Sequence, residues 1–98
     1  MIIVQANVVT KEGMRNDFVK AATQCALATR KEPGCISYEF LVSTEDDCAG
    51  CFIEQWQKVE DLSEHARSEH YKKFKKDSRD MVAQPTVVKI FEVTEKRI

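Results

Sequence analysis

The stretch from Glu54 to Phe74, EQWQKVEDLSEHARSEHYKKF, contains the only tryptophan of the chain and both of its histidines, His65 and His70. An imidazole can take or give a proton near neutral pH, because its unperturbed pKa is about 6.5. Two histidines can also share a metal ion when they lie at i and i+4 on one helix. Here the spacing is five residues, which is about 140° around a continuous helix. The spacing therefore predicts no metal site unless the helix breaks near residues 67–69, which the sequence does not require.

The four cysteines of the chain include one CxxC motif, CAGC at residues 48–51. A structural zinc site needs four ligands, and no second pair of cysteines or histidines at metal-ligand spacing completes one. A thioredoxin-like motif opens a helix, which lowers the thiol pKa, whereas Cys51 leads into the strand-like sequence CFIEQW. The motif therefore indicates a hairpin loop with reduced thiols. A disulfide between Cys48 and Cys51, or a metal or redox function, is left as an alternative.

Length and charge argue against several classes of protein. A length of 98 residues corresponds to one domain. A net charge of −1 gives no overall electrostatic field that would attract nucleic acid or an anionic membrane. In YKKFKKDSR, Tyr71 and Phe74 are spaced for burial, which leaves the lysines on a solvent-facing surface. No apolar run approaches the ~20 residues that span a bilayer, and the first residues do not resemble a signal peptide. We predict a single cytoplasmic domain.

Hydrophobic periodicity and turn residues divide the chain into six elements. β-branched and aromatic runs predict four strands, at residues 2–9, 35–42, 51–56 and 87–93. Apolar residues at helical spacing predict helical regions at residues 14–31 and 59–81. The order β-α-β-β-α-β is that of the ferredoxin-like fold. The predicted class is α+β, with a four-stranded antiparallel sheet and both helical regions on one face.

Both faces of the predicted sheet carry apolar side chains. In the first strand, one face is wholly apolar and the other is mixed: Ile2, Val4, Ala6 and Val8 oppose Ile3, Gln5, Asn7 and Val9. In the second strand, strict alternation places Leu41 on one face and four residues on the other, which are Ile36, Tyr38, Phe40 and Val42. One layer of helices cannot cover both faces, and a monomer rarely exposes more than a few hundred Å² of continuous apolar surface. We therefore predict a homodimer joined sheet to sheet, since a two-fold copy is the commonest partner.

The segments EPGCISYEF, EQW and HARSEHY, within this order of strands and helices, resemble the antibiotic biosynthesis monooxygenase family. The resemblance extends over residues 2–93 and implies a dimeric α+β barrel. Some members of this family oxidise electron-rich quinols with O₂ and without metal or flavin, while others isomerise a phosphorylated quorum-sensing signal or degrade haem. The resemblance thus implies a cofactor-free monooxygenase that acts on a small quinol or polyphenol.

The same resemblance implies a site between the helices and the sheet. His65, nine residues after the tryptophan of the third strand, faces that cavity in the family and would act as the general base for a phenolic proton. Asn7 matches an asparagine of the haem-degrading branch and would either contact substrate or form a structural hydrogen bond. That branch has a histidine iron ligand where this chain has Lys75, and a tryptophan at the position of His65. No haem and no other cofactor is therefore expected.

Four more residues are candidates for substrate contact. Glu54 and Trp56 share one face of the third strand because they alternate with Gln55. In a pocket, Trp56 would supply an aromatic wall and Glu54 a hydrogen-bond acceptor; otherwise both brace the sheet. Tyr38 would lie in the core or at the pocket rim, and His70 would be a core or cavity-wall residue on the inward side of its helix.

Two other functions stay open beside the monooxygenase. An isomerase of a small phosphorylated compound would need cations at the cavity mouth, for which Arg67, Arg79 and Lys72 are available. A dimeric stress-associated protein would bind a small molecule in the same pocket without turnover. A cavity that holds a fused aromatic ring and is lined by Asn7 and His65 would favour oxidation, whereas a small cavity ringed by cations would favour the isomerase.

Overall fold

Four strands and three α-helices form the fold in the computed structural model, which describes residues 1–98. The elements are β1 (Ile2–Val9), α1 (Arg15–Thr29), β2 (Cys35–Val42), β3 (Ala49–Trp56), α2 (Val59–Ala66), α3 (Glu69–Ser78), a 3₁₀ helix (Arg79–Met81) and β4 (Val87–Glu92). The predicted α+β class and the order β-α-β-β-α-β are confirmed. None of the helices combines the length and the apolar character that crossing a membrane requires.

The sheet is antiparallel throughout, with the strand order β2-β3-β1-β4. The central strand β1 pairs with β3, where Ile2 lies opposite Trp56, and with β4, where Ile2 lies opposite Glu92. The wholly apolar face of β1 is buried beneath the helices through Ile2, Val4, Ala6 and Val8. This face is the floor on which the helices pack.

Aromatic rings fill the space between that floor and the helices. Phe18 of α1 lies with its ring centroid 5.1 Å from Phe40, 6.2 Å from Phe52 and 5.6 Å from Phe74. Edge-to-face and tilted pairs at these distances are the favourable arrangements of aromatic side chains. Since Phe18 is 2% exposed, it holds α1 and α3 against the middle of the sheet.

A β-bulge at the start of β2 changes which residue faces the helices. Cys35 pairs with Trp56 but Ser37 pairs with Gln55, so Ile36 is an extra residue without a partner. As a result Cys35 packs on the core, and Ile36 is 49% exposed. The prediction that Ile36 shares a face with Tyr38 is therefore wrong, because simple alternation does not continue through a bulge.

The face of the sheet that points away from the helices is uncovered in the single chain. Cross-strand register puts Leu41, Cys51, Asn7 and Val87 in one row across this face. Leu41 is 48% exposed and Val87 is 49% exposed, and Phe91, beside Ile3 two rows further along the same face, is 45% exposed. The predicted second apolar face is thus present, and one layer of helices leaves it open. We call these exposed residues and their rows the outer face.

The second helical region is interrupted after Ala66. Ser68 begins α3 as its N-cap, and its Oγ accepts a hydrogen bond from the backbone N–H of Tyr71 at 3.3 Å. The same hydroxyl donates to the backbone oxygen of His65 at 2.7 Å. Serine is among the preferred N-cap residues because its side chain satisfies a free N–H of the first turn. The break changes the direction of the chain between His65 and His70.

Candidate active site

A cavity of about 590 Å³ lies between the sheet and the two helices α2 and α3. Its walls are mostly apolar, with side chains such as Phe52, Leu62 and Ile90. Its polar side chains are Tyr38, Glu54, His65, Tyr71, Lys75, Ser78, Thr86 and Arg79. A volume of this size and an apolar wall with a few polar groups are typical of small-molecule sites, which measure roughly 300–1,000 Å³.

Three of the predicted site residues come together at one end of this cavity. Tyr38 of β2 lies directly opposite Glu54 of β3 in the sheet register, so both side chains rise from the same face. His65, in the last turn of α2, stands over them with its ring centroid 5.5 Å from that of Tyr38. All three are at most 6% exposed. The β2–β3 hairpin and the end of α2 therefore position the titratable groups of the site.

Glu32, which is not among the predicted site residues, holds both histidines. Oε2 of Glu32 lies 2.7 Å from Nδ1 of His65 and 2.8 Å from Nε2 of His70. Glu32 belongs to the turn between α1 and β2, and this turn reaches α2 because Gly34 has no side chain. A Cβ atom at Gly34 would overlap the side chain of Asp61 in α2, at 1.9 Å from its Cγ.

Glu32, His65 and His70 are also the residues of this chain that could hold a metal ion. One ligand atom from each lies within 4.8 Å of the others, and a glutamate with two histidines is a donor set that zinc sites use. The expectation that the two histidines lie apart is wrong, because the break after Ala66 turns both towards Glu32. Each ring nitrogen is, however, at the distance of a charge-assisted hydrogen bond from the carboxylate. We therefore treat the three side chains as a hydrogen-bonded triad in which one nitrogen of each histidine is bonded to Glu32.

The triad fixes the chemical state of His65. Burial lowers the pKa of His65, the hydrogen bond and charge of Glu32 raise it in part, and the nearby His70 lowers it again. Because the net direction is downward, the imidazole is neutral at neutral pH. The bond to a carboxylate then places the ring proton on Nδ1, and Nε2 is left as an acceptor. This Nε2 is buried and has no hydrogen-bond partner.

Glu54 is the second titratable group at this end of the cavity. Burial raises the pKa of Glu54 from 4.5 to about 7, while the hydrogen bond from Trp56 lowers it in part and the charge of Glu32 raises it. Nε1 of Trp56 donates to Oε1 of Glu54 at 3.0 Å. Glu54 therefore exchanges a proton near neutral pH. Burial also raises the pKa of Tyr38, whose hydroxyl stays protonated.

The other predicted contact residues lie outside the cavity. Trp56 is completely buried behind Glu54 and acts as its hydrogen-bond donor, so it is not a wall of the cavity. His70 lies on the far side of Glu32, where its Nε2 is also 3.2 Å from Oγ of Ser68. Asn7 is exposed on the outer face. Trp56 and His70 therefore lie beside His65, with ring centroids 4.9 Å and 5.9 Å away, but outside the cavity, and Asn7 lies on the other face of the sheet.

The cysteines take no part in this constellation. All four are free thiols, and Cys25 is buried in the core. Cys48 and Cys51 are half-buried at the end of the hairpin loop and the start of β3, and no bond joins them. Burial raises the pKa of the Cys51 thiol, which makes it a poorer nucleophile than a typical thiol. The interpretation of CAGC as a hairpin loop holds only for Cys48, because β3 begins at Ala49 and Cys51 pairs with Asn7 and Leu41 within the sheet.

We expect Glu32→Ala to lower the free energy of unfolding by about 1–3 kcal/mol, because it leaves hydrogen-bonding groups of two half-buried or buried histidines without a partner. It should also lower the pKa of His65 further, since the interactions that Glu32 supplies raise it. Urea denaturation and NMR titration of the histidine ring protons measure the two effects. Glu12→Ala, at an exposed glutamate of the turn between β1 and α1, is the control and should change neither. An unchanged His65 pKa in Glu32→Ala would contradict the assigned triad.

Comparisons with known proteins agree with this fold. A sequence model of the family described as antibiotic biosynthesis monooxygenase matches residues 1–77. The uncharacterized protein sll1783 of Synechocystis sp. is 30% identical over 94 residues, which are 96% of this chain, and the chain spans 64% of that protein's length.

Solved structures of the same shape come from several organisms. A protein of Nitrosomonas europaea, named as a candidate antibiotic biosynthesis monooxygenase, superposes with a TM-score of 0.94 at 20% identity, covering 97% of this chain and 100% of that one. Rv0793 of Mycobacterium tuberculosis gives 0.89 at 21% identity, over 97% and 96% of the two chains. A conserved protein of Methanosarcina mazei gives 0.90 at 25% identity, over 95% and 92%. With the family match over most of its length, the chain belongs to the antibiotic biosynthesis monooxygenase family.

Proposed function

We propose that the protein is a cofactor-independent monooxygenase that oxidises a small quinol or polyphenol with O₂. One observation carries the proposal: His65 lines an apolar cavity, Glu32 holds its Nδ1, and its Nε2 is a buried acceptor without a partner. A neutral imidazole in this state is suited to accept a proton from a phenolic hydroxyl. Family membership supports a monooxygenase reaction.

In the proposed reaction, His65 removes the phenolic proton and leaves an electron-rich anion in the cavity. The anion passes an electron to O₂, and the resulting radicals combine at a ring carbon that carries hydrogen. The peroxide anion of this adduct takes the proton back from His65, and loss of water then leaves a carbonyl, so that one oxygen atom enters the product and the other leaves as water. The protein contributes deprotonation, orientation and a largely apolar cavity, and few catalytic groups are needed.

Access to the base requires a small movement. Nε2 of His65 has almost no surface accessible to water, and the Tyr71 ring packs on the imidazole with a centroid distance of 4.8 Å. Tyr71 is only half-buried and stands in the cavity wall, so its side chain is the neighbour best placed to move aside. Catalytic hydrogen bonds commonly form only once the substrate is bound.

O₂ uptake with a series of hydroquinones tests the proposal. Chelator-treated protein should accelerate O₂ consumption, and oxygen-18 supplied as O₂ should appear as one atom in the product. If no hydroquinone of the series gives faster O₂ consumption or oxygen-18 in the product, the proposed monooxygenase activity is excluded. If hydroquinones then raise the melting temperature without turnover, the protein binds small molecules non-catalytically.

An isomerase of a small phosphorylated compound is the second candidate, because two cations line the cavity. Lys75 and Arg79 belong to its wall, whereas Arg67 and Lys72 do not. The features that distinguish the two functions therefore point in both directions. The large cavity and His65 favour oxidation, whereas the positive charge of the wall and the position of Asn7 outside the cavity favour the isomerase. Conversion of a sugar phosphate in the absence of O₂ uptake would select the isomerase.

We also propose that the outer face joins two copies of the chain in a homodimer. Leu41→Glu should convert the dimer to monomer, because it places a charge within an apolar interface, where an unpaired buried charge is strongly unfavourable. Leu27→Glu, at a leucine of α1 that is 57% exposed, is the matched control and should leave the dimer intact. Sedimentation velocity measures both, and a wild-type monomer in dilute solution would contradict the proposed dimer.

A further inference from the structure

We infer that the substrate carries an anionic group at the end of the molecule away from the reacting hydroxyl, and that Lys75 and Arg79 bind this group. The inference deepens the proposed function and rests on it for the identity of the reacting end. The ligand class is an aromatic quinol or phenol with a carboxylate on a distant part of its ring system.

The first observation is the line of residues along the cavity that α3 and the first residue of the 3₁₀ helix provide. Tyr71, Phe74, Lys75, Ser78 and Arg79 all belong to its wall, at the spacing of one helix face. Tyr71 contacts His65 and marks the reacting end. Residues four apart in a helix are separated by about 6 Å along its axis. Along this axis, Lys75 therefore lies about 6 Å from Tyr71 and Arg79 about 12 Å from it. The cations are therefore displaced along the cavity from the base.

The second observation is that both cations are unpaired. Two nearby cations form ion pairs, Lys73 with Asp77 and Arg67 with Glu64, whereas Lys72 and Lys76, which lie outside the cavity wall, form none. Lys75 and Arg79 form none, although both are exposed at the cavity wall. Free cations in the wall of an otherwise apolar cavity attract an anion of the ligand, and a guanidinium in particular matches a carboxylate.

The third observation is the distribution of negative charge. Glu54 is the only acidic residue of the cavity wall, and it lies at the opposite end, beside Tyr38 and His65. Burial keeps part of the Glu54 population protonated near neutral pH. The inner end is therefore weakly charged and the cation end is positive. This arrangement selects a ligand with a polar, uncharged hydroxyl at one end and an anion at the other.

The fourth observation is the apolar surface between the two ends. Phe74 lies between Tyr71 and Lys75 in the chain, and Val88 and Ile90 of β4 line the same cavity. These side chains have no hydrogen-bonding groups to offer, so they suit the body of an aromatic ring system. A bare sugar phosphate would leave its hydroxyls without partners there.

Anaerobic calorimetry with a matched ligand pair tests the inference. The probes are a dihydroxynaphthoate whose carboxylate lies on the ring without hydroxyls, and the methyl ester of the same compound. Wild-type protein should bind the acid more tightly than the ester by about fivefold per cation, which is the upper range for exposed ion pairs. Lys75→Met with Arg79→Gln should remove this preference, while Lys72→Met, at an exposed lysine outside the cavity, should retain it.

The outcomes separate this inference from the proposed function, because binding is measured without O₂. A preference for the acid that the double variant loses supports the inference, even if no turnover follows when O₂ is admitted. Equal binding of acid and ester, or binding of neither, overturns it, even if the ester is oxidised. Displacement of the acid by ribose phosphate at equal concentration would also overturn it, since the aromatic body would then contribute nothing.

Discussion

Replacing His65 with alanine is expected to lower kcat for O₂-dependent hydroquinone oxidation by about 10²–10⁴-fold, the usual contribution of a general base. KM should change less, because the other side chains of the cavity wall stay in place. The pH profile of kcat/KM gives an independent test in the wild-type protein. The base must be neutral, so the rate should fall at acid pH, with a midpoint below the ordinary histidine value because burial lowers the pKa of His65.

His65→Ala also removes a ring that packs on Trp56 at 4.9 Å and on Tyr71 at 4.8 Å, so loss of activity could follow from loss of structure. His65→Gln keeps a polar side chain of similar reach but supplies no base near neutral pH. His70→Asn is the control, since it disturbs the same carboxylate from outside the cavity. Folded His65→Gln protein with wild-type kcat would exclude His65 as the base, whereas His70→Asn should keep most of the activity.

The fold was predictable because its signals are local. Alternation in β1 and the Pro33-Gly34 turn define elements that the structure confirms within a few residues. Two departures also have local causes that compete with that periodicity. The bulge at Ile36 adds one residue to a strand whose composition still alternates, and the Ser68 N-cap interrupts a helix whose apolar spacing continues beyond it. Hydrophobic periodicity alone therefore reveals neither the bulge nor the break in the helix.

The site was predictable only in part because its contacts are not local. Glu32 reaches His65 from 33 residues away and His70 from 38 residues away, which no spacing rule describes. Its position directly before Pro33, inside the segment EPGCISYEF, was the available signal. Lys75 was assigned to a solvated surface, because a sequence does not distinguish a helix face that meets water from one that borders a cavity.

The pH dependence of stability in Glu54→Gln is the second large effect that we expect. The pKa of Glu54 is about 7 in the folded chain and 4.5 without burial. Between these values the folded state holds a proton that the unfolded state has released, so raising the pH favours unfolding. The wild-type protein should lose roughly 3 kcal/mol across this window, at about 1.4 kcal/mol per pH unit. Glutamine does not titrate, and its side-chain oxygen still accepts the hydrogen bond from Trp56.

Urea denaturation of the two proteins at about pH 4, 6 and 8 measures this difference. Their stabilities should be similar near pH 4, where Glu54 is protonated in both states, and Glu54→Gln should be the more stable by the full amount near pH 8. Contributions from His65 are common to both proteins and largely cancel in the comparison. Glu12→Gln, at an exposed position of the turn between β1 and α1, should follow the wild-type curve. Parallel curves for Glu54→Gln and wild type would show that Glu54 is ionised normally.

Because ionisation of Glu54 destabilises the folded state near neutral pH, packing alone does not explain a carboxyl group at this position. Glutamine would satisfy Trp56 equally well without that penalty, so the ionisable group indicates a role in the cavity, where strongly perturbed pKa values tend to accompany function. We therefore expect Glu54→Gln to gain stability near pH 8 and to lose oxidation rate in the same protein. A variant that gains stability and keeps full activity would assign Glu54 to packing alone and leave His65 as the only proton acceptor of the site.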